Sequence, residues 1–79
     1  MPTPKTKKDT ETLNGHIGAN IRKLREERKL SQAQVAEMVG VSLYALQEVE
    51  QGLERVMPAL LHALMGVFDV SYSDFFVGT

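Results

Sequence analysis

Apolar residues recur at helical spacing in several separate stretches of the chain. Ile17, Ile21 and Leu24 are four and three residues apart, so they form one stripe on a helix whose other faces are charged. The strongest stripe comes later and consists of Leu60, Leu61, Leu64, Val67 and Phe68. Two shorter apolar stretches lie between these helices, and a short aromatic segment ends the chain. The pattern favours an all-α domain of about five short helices over any arrangement of strands.

Residues that start and stop helices divide these stretches. Ser31 and Ser42 each precede an apolar stretch, where a hydroxyl can accept a hydrogen bond from a free backbone N–H of the first turn. Gly40 and Gly52 follow the second and third stretches, as expected for glycines that end helices. Pro58 suits the first turn of the fourth helix, because its missing N–H is not needed there.

The first fifteen residues lack a helical or strand period. They contain two prolines, four threonines and three lysines, with Leu13 as the one large aliphatic side chain after Met1. We therefore predict a flexible basic arm at residues 1–15 and a folded domain, beginning near His16, at residues 16–79.

The stretch from Gln32 to Gln51 has a spacing that suits two helices crossing at a steep angle. The crossing point needs a small side chain, which Ala36 supplies, and the sharp turn suits Gly40 because glycine adopts a left-handed conformation at little cost. The inner faces are then buried by Val35, Val39, Val41, Leu46 and Val49. The outer face of the third helix is left free.

This pattern resembles the helix-turn-helix of the Cro and phage-repressor type, also called XRE-like or lambda-repressor-like, from Ile17 to Val70. The resemblance implies a five-helix lambda-repressor-like bundle that binds double-stranded DNA with its third helix. It also implies that Arg25 in helix one pairs with Glu50 at the end of helix three. The residues expected to face DNA are Gln32, Ser42, Leu43, Tyr44, Gln47, Glu48 and Gln51.

Charge is distributed unevenly, although the formal net charge is -1. Residues 1–29 contain eight basic and four acidic residues, whereas residues 30–79 contain Arg55 and six acidic residues. A polyanion would therefore meet the amino-terminal part. Phosphate contacts are expected from Arg55, from Arg22 and Lys23 on helix one, and from the arm lysines Lys5, Lys7 and Lys8. These three lysines resemble the basic arm with which a lambda-type repressor wraps DNA, and a solubilising tail is the alternative.

Base contacts must come from side chains without positive charge, because no cation lies between Lys29 and Arg55. Gln47 can pair with adenine, Leu43 can pack on a thymine methyl group and Glu48 can accept from cytosine. The same apolar and acidic surface also suits a protein partner. A repressor-like module that docks a partner through Leu43 and Tyr44, as in an antitoxin or anti-regulator, is thus the alternative function.

Other functions find little support in the composition. The absence of cysteine removes disulfides and thiolate metal sites, and His16 and His62 have no evident partner for acid–base catalysis. We expect no enzyme activity, metal, cofactor or small-molecule ligand. No apolar run approaches the length of a membrane span, so we expect a cytoplasmic protein.

The predicted function is a sequence-specific transcriptional regulator, most simply a repressor, that acts as a homodimer on operator half-sites. The dimer surface is expected near the carboxyl end, because two adjacent aromatic residues cannot both face inward from one short helix. The candidates are Phe68, Phe75, Phe76 and Val77. In the alternative arrangement, both Phe75 and Phe76 pack on helices of their own chain.

Overall fold

All regular structure is helical in the computed structural model, which describes the backbone of residues 7–78 and the side chains of residues 13–78. The elements are α1 (Lys7–Glu27), α2 (Gln32–Val39), α3 (Leu43–Glu50), α4 (Pro58–Phe68) and a 3₁₀ helix (Tyr72–Phe76). This confirms the predicted all-α fold. The fifth helical segment is five residues of 3₁₀ helix, so the described residues form four α-helices where five helices were predicted.

The predicted helix boundaries within the helix-turn-helix are confirmed by cap geometry. The Oγ of Ser31 accepts the N–H of Gln34, and the Oγ of Ser42 accepts the N–H of Ala45, both at 3.0 Å. Gly40 ends α2 with φ of 76°, in the left-handed region that glycine enters without steric cost. Local chemistry therefore sets where α2 and α3 begin and where the turn between them lies.

The start of α1 corrects the predicted boundary at residue 15. The helix begins at Lys7 instead of near His16, and Asn14, which was assigned to the arm, is buried. Once a helix is nucleated, each further residue adds a hydrogen bond, so a helix anchored by buried residues extends through a stretch that has no apolar period of its own. Residues 1–6 and 79 lie outside the described residues, and the arm expected at 1–6 stays a prediction.

The core is enclosed by a ring of packed elements in the order α1, α3, α2, α4 and the 3₁₀ helix, which in turn packs on α1. Ala36 at the predicted crossing is buried, as the close approach of α2 and α3 requires. The largest completely buried side chains are Ile21, Val35, Leu46, Leu64, Phe68 and Phe75. Of the valines predicted to be inside, Val39 and Val41 are half-buried.

Two of the four residues predicted for the dimer surface are instead buried in the core of their own chain. Phe68 and Phe75 are 1% and 0% exposed within their own chain, so neither is available to a second copy. Phe76 is half-buried and packs on Tyr72 with ring centroids 4.9 Å apart, while Val77 is 64% exposed. A 3₁₀ helix repeats every three residues, which turns Phe75 inward and leaves its neighbour at the edge of the core.

Polar side chains of α1 fasten this carboxyl-terminal region. The Nδ2 of Asn20 donates to the carbonyl oxygens of Phe75 at 2.8 Å and Val77 at 2.9 Å. The Nε of Arg28 donates to the carbonyl oxygen of Phe68 at 2.8 Å, and its guanidinium lies over the Phe68 ring. These bonds satisfy carbonyls that the ends of the helices leave without a partner. Among the described helices, none has the length and apolar character to cross a membrane.

Candidate nucleic-acid interface

The outward face of α3 carries most of the residues predicted to contact DNA. Leu46 and Val49 point into the core, which turns Leu43 and Tyr44 outward, and Tyr44 is 69% exposed. Gln47 and Glu48 lie half-buried one turn further along, and Gln51 is exposed at the end of the helix. The predicted free face of the third helix is therefore present. The hydroxyl oxygen of Ser42 caps α3, which gives this residue a structural contact besides its predicted one.

A buried ion pair fixes the carboxyl end of α3 to α1. The Nε of Arg25 donates to Oε2 of Glu50 at 2.7 Å, and Nη2 donates to Oε1 at 3.0 Å. The hydrogen bond with Glu50 raises the pKa of Arg25 above its ordinary value, although burial opposes this shift. Nη1 of Arg25 also donates to the carbonyl oxygen of Leu30, just before α2. The pairing implied by the resemblance is observed, and it joins three segments.

Gln32 links this ion pair to the outward face. Its Nε2 donates to Oε1 of Glu50 at 3.0 Å, and its Oε1 accepts from Nε2 of Gln47 at 3.4 Å. Gln32 was predicted to face DNA, whereas its contact with Glu50 was not predicted. No local signal could have revealed this contact, because the two residues are eighteen positions apart and meet only when α2 and α3 cross.

The amino terminus of α2 lies beside this network. Ser31 and Gln34 form a reciprocal capping box, in which the N–H of Ser31 donates to Oε1 of Gln34 at 2.8 Å. The intrahelical ladder starts with the N–H of Val35, so the amides of Gln32 and Ala33 precede it and point out of the helix end. Such amides, at the positive end of the helix dipole, suit an anion such as a phosphate.

Arg22 and Lys23, the two cations of α1 predicted to contact phosphate, lie in different clefts. Arg22 borders a polar cleft of about 280 Å³ with Arg25, Gln32, Glu50 and Gln51. Its contact with Glu26 at 3.5 Å is exposed to solvent and therefore weak, so its guanidinium is available to a phosphate. Lys23 instead lines a different cleft with Asp74 and Val77. The structure thus brings Arg22 to the interface and leaves Lys23 apart from it.

The remaining predicted cations lie elsewhere. Arg55 is exposed in the segment between α3 and α4. Lys7 and Lys8 are in the first turn of α1, and their side chains lie outside the described ones; Lys5 lies outside the described residues altogether.

An apolar groove of about 510 Å³ runs beside α3, on the side that faces α4. Its walls include Val41, Ala45 and Leu60, and the exposed side chains of Tyr44 and Met57 lie at its edge. Glu48, Glu54 and Arg55 border it as well. This groove is the feature that matches the alternative prediction of a protein partner.

Tyr44 and Glu48 interact along the outer face of α3. The hydrogen bond that the phenol donates to the Glu48 carboxylate raises the pKa of Tyr44, and the negative charge of Glu48 acts in the same direction. The contact spans one helical turn, the spacing at which side chains on one face meet.

No group of three or more His, Cys, Asp or Glu residues within the described part of the chain is arranged to hold a metal ion. Every buried side-chain nitrogen or oxygen in that part has a hydrogen-bond partner. The buried polar atoms of the interface, those of Arg25 and Glu50, are thus held by contacts within the protein.

Comparison with known proteins decides the family, because residues 21–75 match the helix-turn-helix family HTH_3. The chain belongs to this family. The matched range includes α2, the turn, α3 and α4, and it overlaps most of the stretch on which the resemblance was based. The predicted family is confirmed.

Individual relatives agree with this assignment. The chain is 31% identical over 74 residues to "Uncharacterized HTH-type transcriptional regulator y4wC" of Sinorhizobium fredii, covering 94% of this chain and 52% of the relative. It is 38% identical over 58 residues to "Antitoxin PezA" of Streptococcus pneumoniae, covering 73% of this chain and 37% of the relative. The chain thus spans about half the length of the first relative and less of the second.

A solved structure shows the same fold. The clp gene regulator ClgR from Corynebacterium glutamicum superposes with a TM-score of 0.78 at 28% sequence identity, over 82% of this chain and 69% of that one. The helical arrangement that presents α3 is therefore shared with a protein described as a gene regulator.

Proposed function

We propose that this protein is a sequence-specific DNA-binding transcriptional regulator that places the outer face of α3 in the major groove. The observation that supports this most strongly is the arrangement of α3 itself. Its amino end is capped by Ser42, its carboxyl end is fixed through Glu50, and Leu43, Tyr44 and Gln47 project from the face between. A rigid helix with an exposed face is what major-groove readout requires.

Phosphate attraction comes from the edges of this face. Arg22 and the free amides of α2 lie on one side of α3, and Arg55 follows its carboxyl end. Phosphate contacts at the edges fix the position of the protein, while the central side chains contact the bases. Lys5 in the predicted arm, together with Lys7 and Lys8 at the start of α1, extends this positive charge along the DNA backbone.

A homodimer acting as a repressor in the cytoplasm is the simplest form of this function. One short helix supplies few base contacts, whereas two copies place their α3 helices in successive major grooves, about 34 Å apart. Val77 and the half-buried Phe76 remain the candidates for the dimer surface from the predicted set.

Selection of bound sites from random DNA by the purified protein tests the proposal. We expect a common, nearly palindromic sequence, and we expect that Gln47→Ala relaxes the preference at one base pair in each half-site. His62→Ala serves as the control, because His62 is exposed on α4. A dimer that contacts five to eight phosphates should show a log–log salt slope of roughly -4 to -7. Failure to select any sequence would contradict the proposal, and a loss of binding in Gln47→Ala that is equal for all sequences would show that Gln47 does not read a base.

The second candidate function is docking of a protein partner, which the apolar groove beside α3 favours. An exposed concave apolar surface next to Tyr44 and Met57 suits an apolar segment of another protein. The similarity to a protein named as an antitoxin supports the same candidate. If the protein selects no DNA sequence and its association with DNA is insensitive to salt, docking becomes the favoured function.

A further inference from the structure

The hydrogen bonds of Gln32 determine which way its amide group points. Glu50 is a carboxylate held by two bonds from Arg25, so it can only accept hydrogen bonds. The end of the Gln32 side chain that faces Glu50 must therefore be the NH₂ group, as observed at 3.0 Å. The opposite end, the carbonyl oxygen Oε1, is consequently turned toward Gln47.

The orientation of Gln32 in turn orients Gln47. A carbonyl oxygen only accepts, so Gln47 must present its own NH₂ group to it, as observed at 3.4 Å. One N–H of Gln47 is then occupied within the protein. Its Oε1 and one N–H remain for a partner outside. A glutamine without this contact would keep both donors and could turn its amide over freely.

One acceptor and one donor match adenine better than guanine. In the major groove adenine presents the acceptor N7 and the donor N6, whereas guanine presents two acceptors, N7 and O6. A Gln47 side chain with one free donor pairs with both groups of adenine. Against guanine it satisfies one acceptor and brings its own oxygen toward the other.

From this geometry we infer that Gln32 is a positioning residue, through which the Arg25–Glu50 pair biases Gln47 toward adenine over guanine. The inference rests on the proposed DNA-binding function and adds a specificity to it. Gln32 acts here through Gln47, independently of any phosphate contact of its own. The buried pair therefore contributes to base choice as well as to the fold.

The test compares the affinities of the protein for two operators. They differ at one position only, the one at which Gln47→Ala relaxes the sequence preference, and carry adenine or guanine there. The variant is Gln32→Met, which removes both amide contacts and leaves the two bonds between Arg25 and Glu50. We expect the wild-type preference for adenine to be roughly tenfold and to fall severalfold toward equality in this variant. In the Gln47→Ala background, Gln32→Met should leave the ratio of the two affinities unchanged.

A second variant guards against misfolding. Gln32→Asn keeps an amide but is too short to reach both Glu50 and Gln47, so it should reduce the preference in the same way. Circular dichroism of each variant checks that the helices are retained.

Three results would overturn the inference. The first is an equal loss of affinity for both operators in Gln32→Met and Gln32→Asn. The second is a change in their ratio that persists in the Gln47→Ala background. In either case the wild-type protein still selects a sequence, so the proposed function stands. The third is a wild-type protein that selects no sequence, which overturns the proposed function as well.

Discussion

Gly52 lies directly against the backbone of Gly15, with no side chain between the two. A β-carbon added to Gly52 would lie 2.7 Å from the Cα and 2.9 Å from the nitrogen of Gly15. Gly52 also has φ of 77°, a conformation that other residues rarely adopt. The end of α3 therefore contacts α1 backbone to backbone, and this contact brings Glu50 within reach of Arg25.

The same contact continues at Gly18, which gives the first prediction. A β-carbon on Gly18 would collide with the carbonyl oxygen of Val49 and would lie 2.8 Å from that of Glu50. We expect Gly18→Ala to lower the free energy of unfolding by roughly 1–3 kcal/mol, since backbone atoms cannot move aside as a flexible side chain does. Urea denaturation measures the change.

Gly66 provides a matched control for this substitution, because it lies within α4 and a β-carbon there would meet open space. Gly66→Ala should raise stability by roughly 0.5–1 kcal/mol through the lower chain entropy of alanine. Equal effects of the two substitutions would show that Gly18 is not in close contact with α3.

The second prediction concerns the ion pair between Arg25 and Glu50. Because both side chains are buried, Arg25→Met should destabilise the protein by roughly 3–5 kcal/mol, since it leaves Glu50 buried without its partner. The double variant with Glu50→Met should be less destabilised than the sum of the two single variants. Thermal and denaturant unfolding of all four proteins give the coupling energy, and additive effects would contradict the pairing.

The third prediction uses the raised pKa of Tyr44. Its phenol should titrate above the usual tyrosine range, because the proton is retained in the hydrogen bond to Glu48. Any stabilisation from this bond is present below the unfolded pKa and is lost as the pH rises through the folded pKa. Glu48→Gln should lower the pKa of Tyr44, as measured by phenolate absorbance in a Tyr72→Phe background. An unchanged titration midpoint in Glu48→Gln would count against the bond.

The fourth prediction separates the core role of the 3₁₀ helix from a role in dimerisation. Phe75→Ala should cost roughly 3–5 kcal/mol, as expected for a large-to-small change at a completely buried aromatic residue. Val77→Ala should change stability by less than about 0.5 kcal/mol, because Val77 is exposed. If Val77 lies in a dimer interface, Val77→Ala should instead weaken self-association in sedimentation equilibrium. Similar losses of monomer stability in both variants would be inconsistent with this structure.

The fifth prediction compares two adjacent cations on α1. Arg22 borders the polar cleft beside Gln32, whereas Lys23 lies with Asp74 and Val77. Arg22→Gln should weaken binding to all DNA sequences alike and reduce the magnitude of the salt slope by about 1, as expected for one lost phosphate contact. Lys23→Gln should leave the slope unchanged. A reduced slope in Lys23→Gln alone would place the DNA on the other side of α1.

Much of the fold could be predicted from residues whose interactions are with neighbours only a few positions away in the sequence. Ser31 and Ser42 cap the helices that follow them, Gly40 turns the chain, and Pro58 starts α4, as their local chemistry predicts. The apolar spacing likewise predicted the inward residues of α3, and hence its free outer face.

Other features depended on contacts that the sequence does not display. α1 starts at Lys7 because helix propagation from anchored residues needs no apolar period, and the period was the only signal available. The sequence does not distinguish Phe75 from Phe76, because both are phenylalanines at adjacent positions. The geometry of the 3₁₀ helix decides that Phe75 is the one that points into the core.

The amino-acid sequence alone determined the all-α fold, the caps of α2 and α3 and the identity of the outward residues on α3, because each of these follows from interactions between close neighbours in the chain. The tertiary structure decided which cations accompany that face, and it joined Arg25, Glu50, Gln32 and Gln47 into one network. These outcomes depend on how closely glycine residues let α1 approach α3 and on how α2 crosses α3. Both the approach of α1 to α3 and the crossing of α2 and α3 are set by how the helices pack in three dimensions, and not by the spacing of residues along the chain.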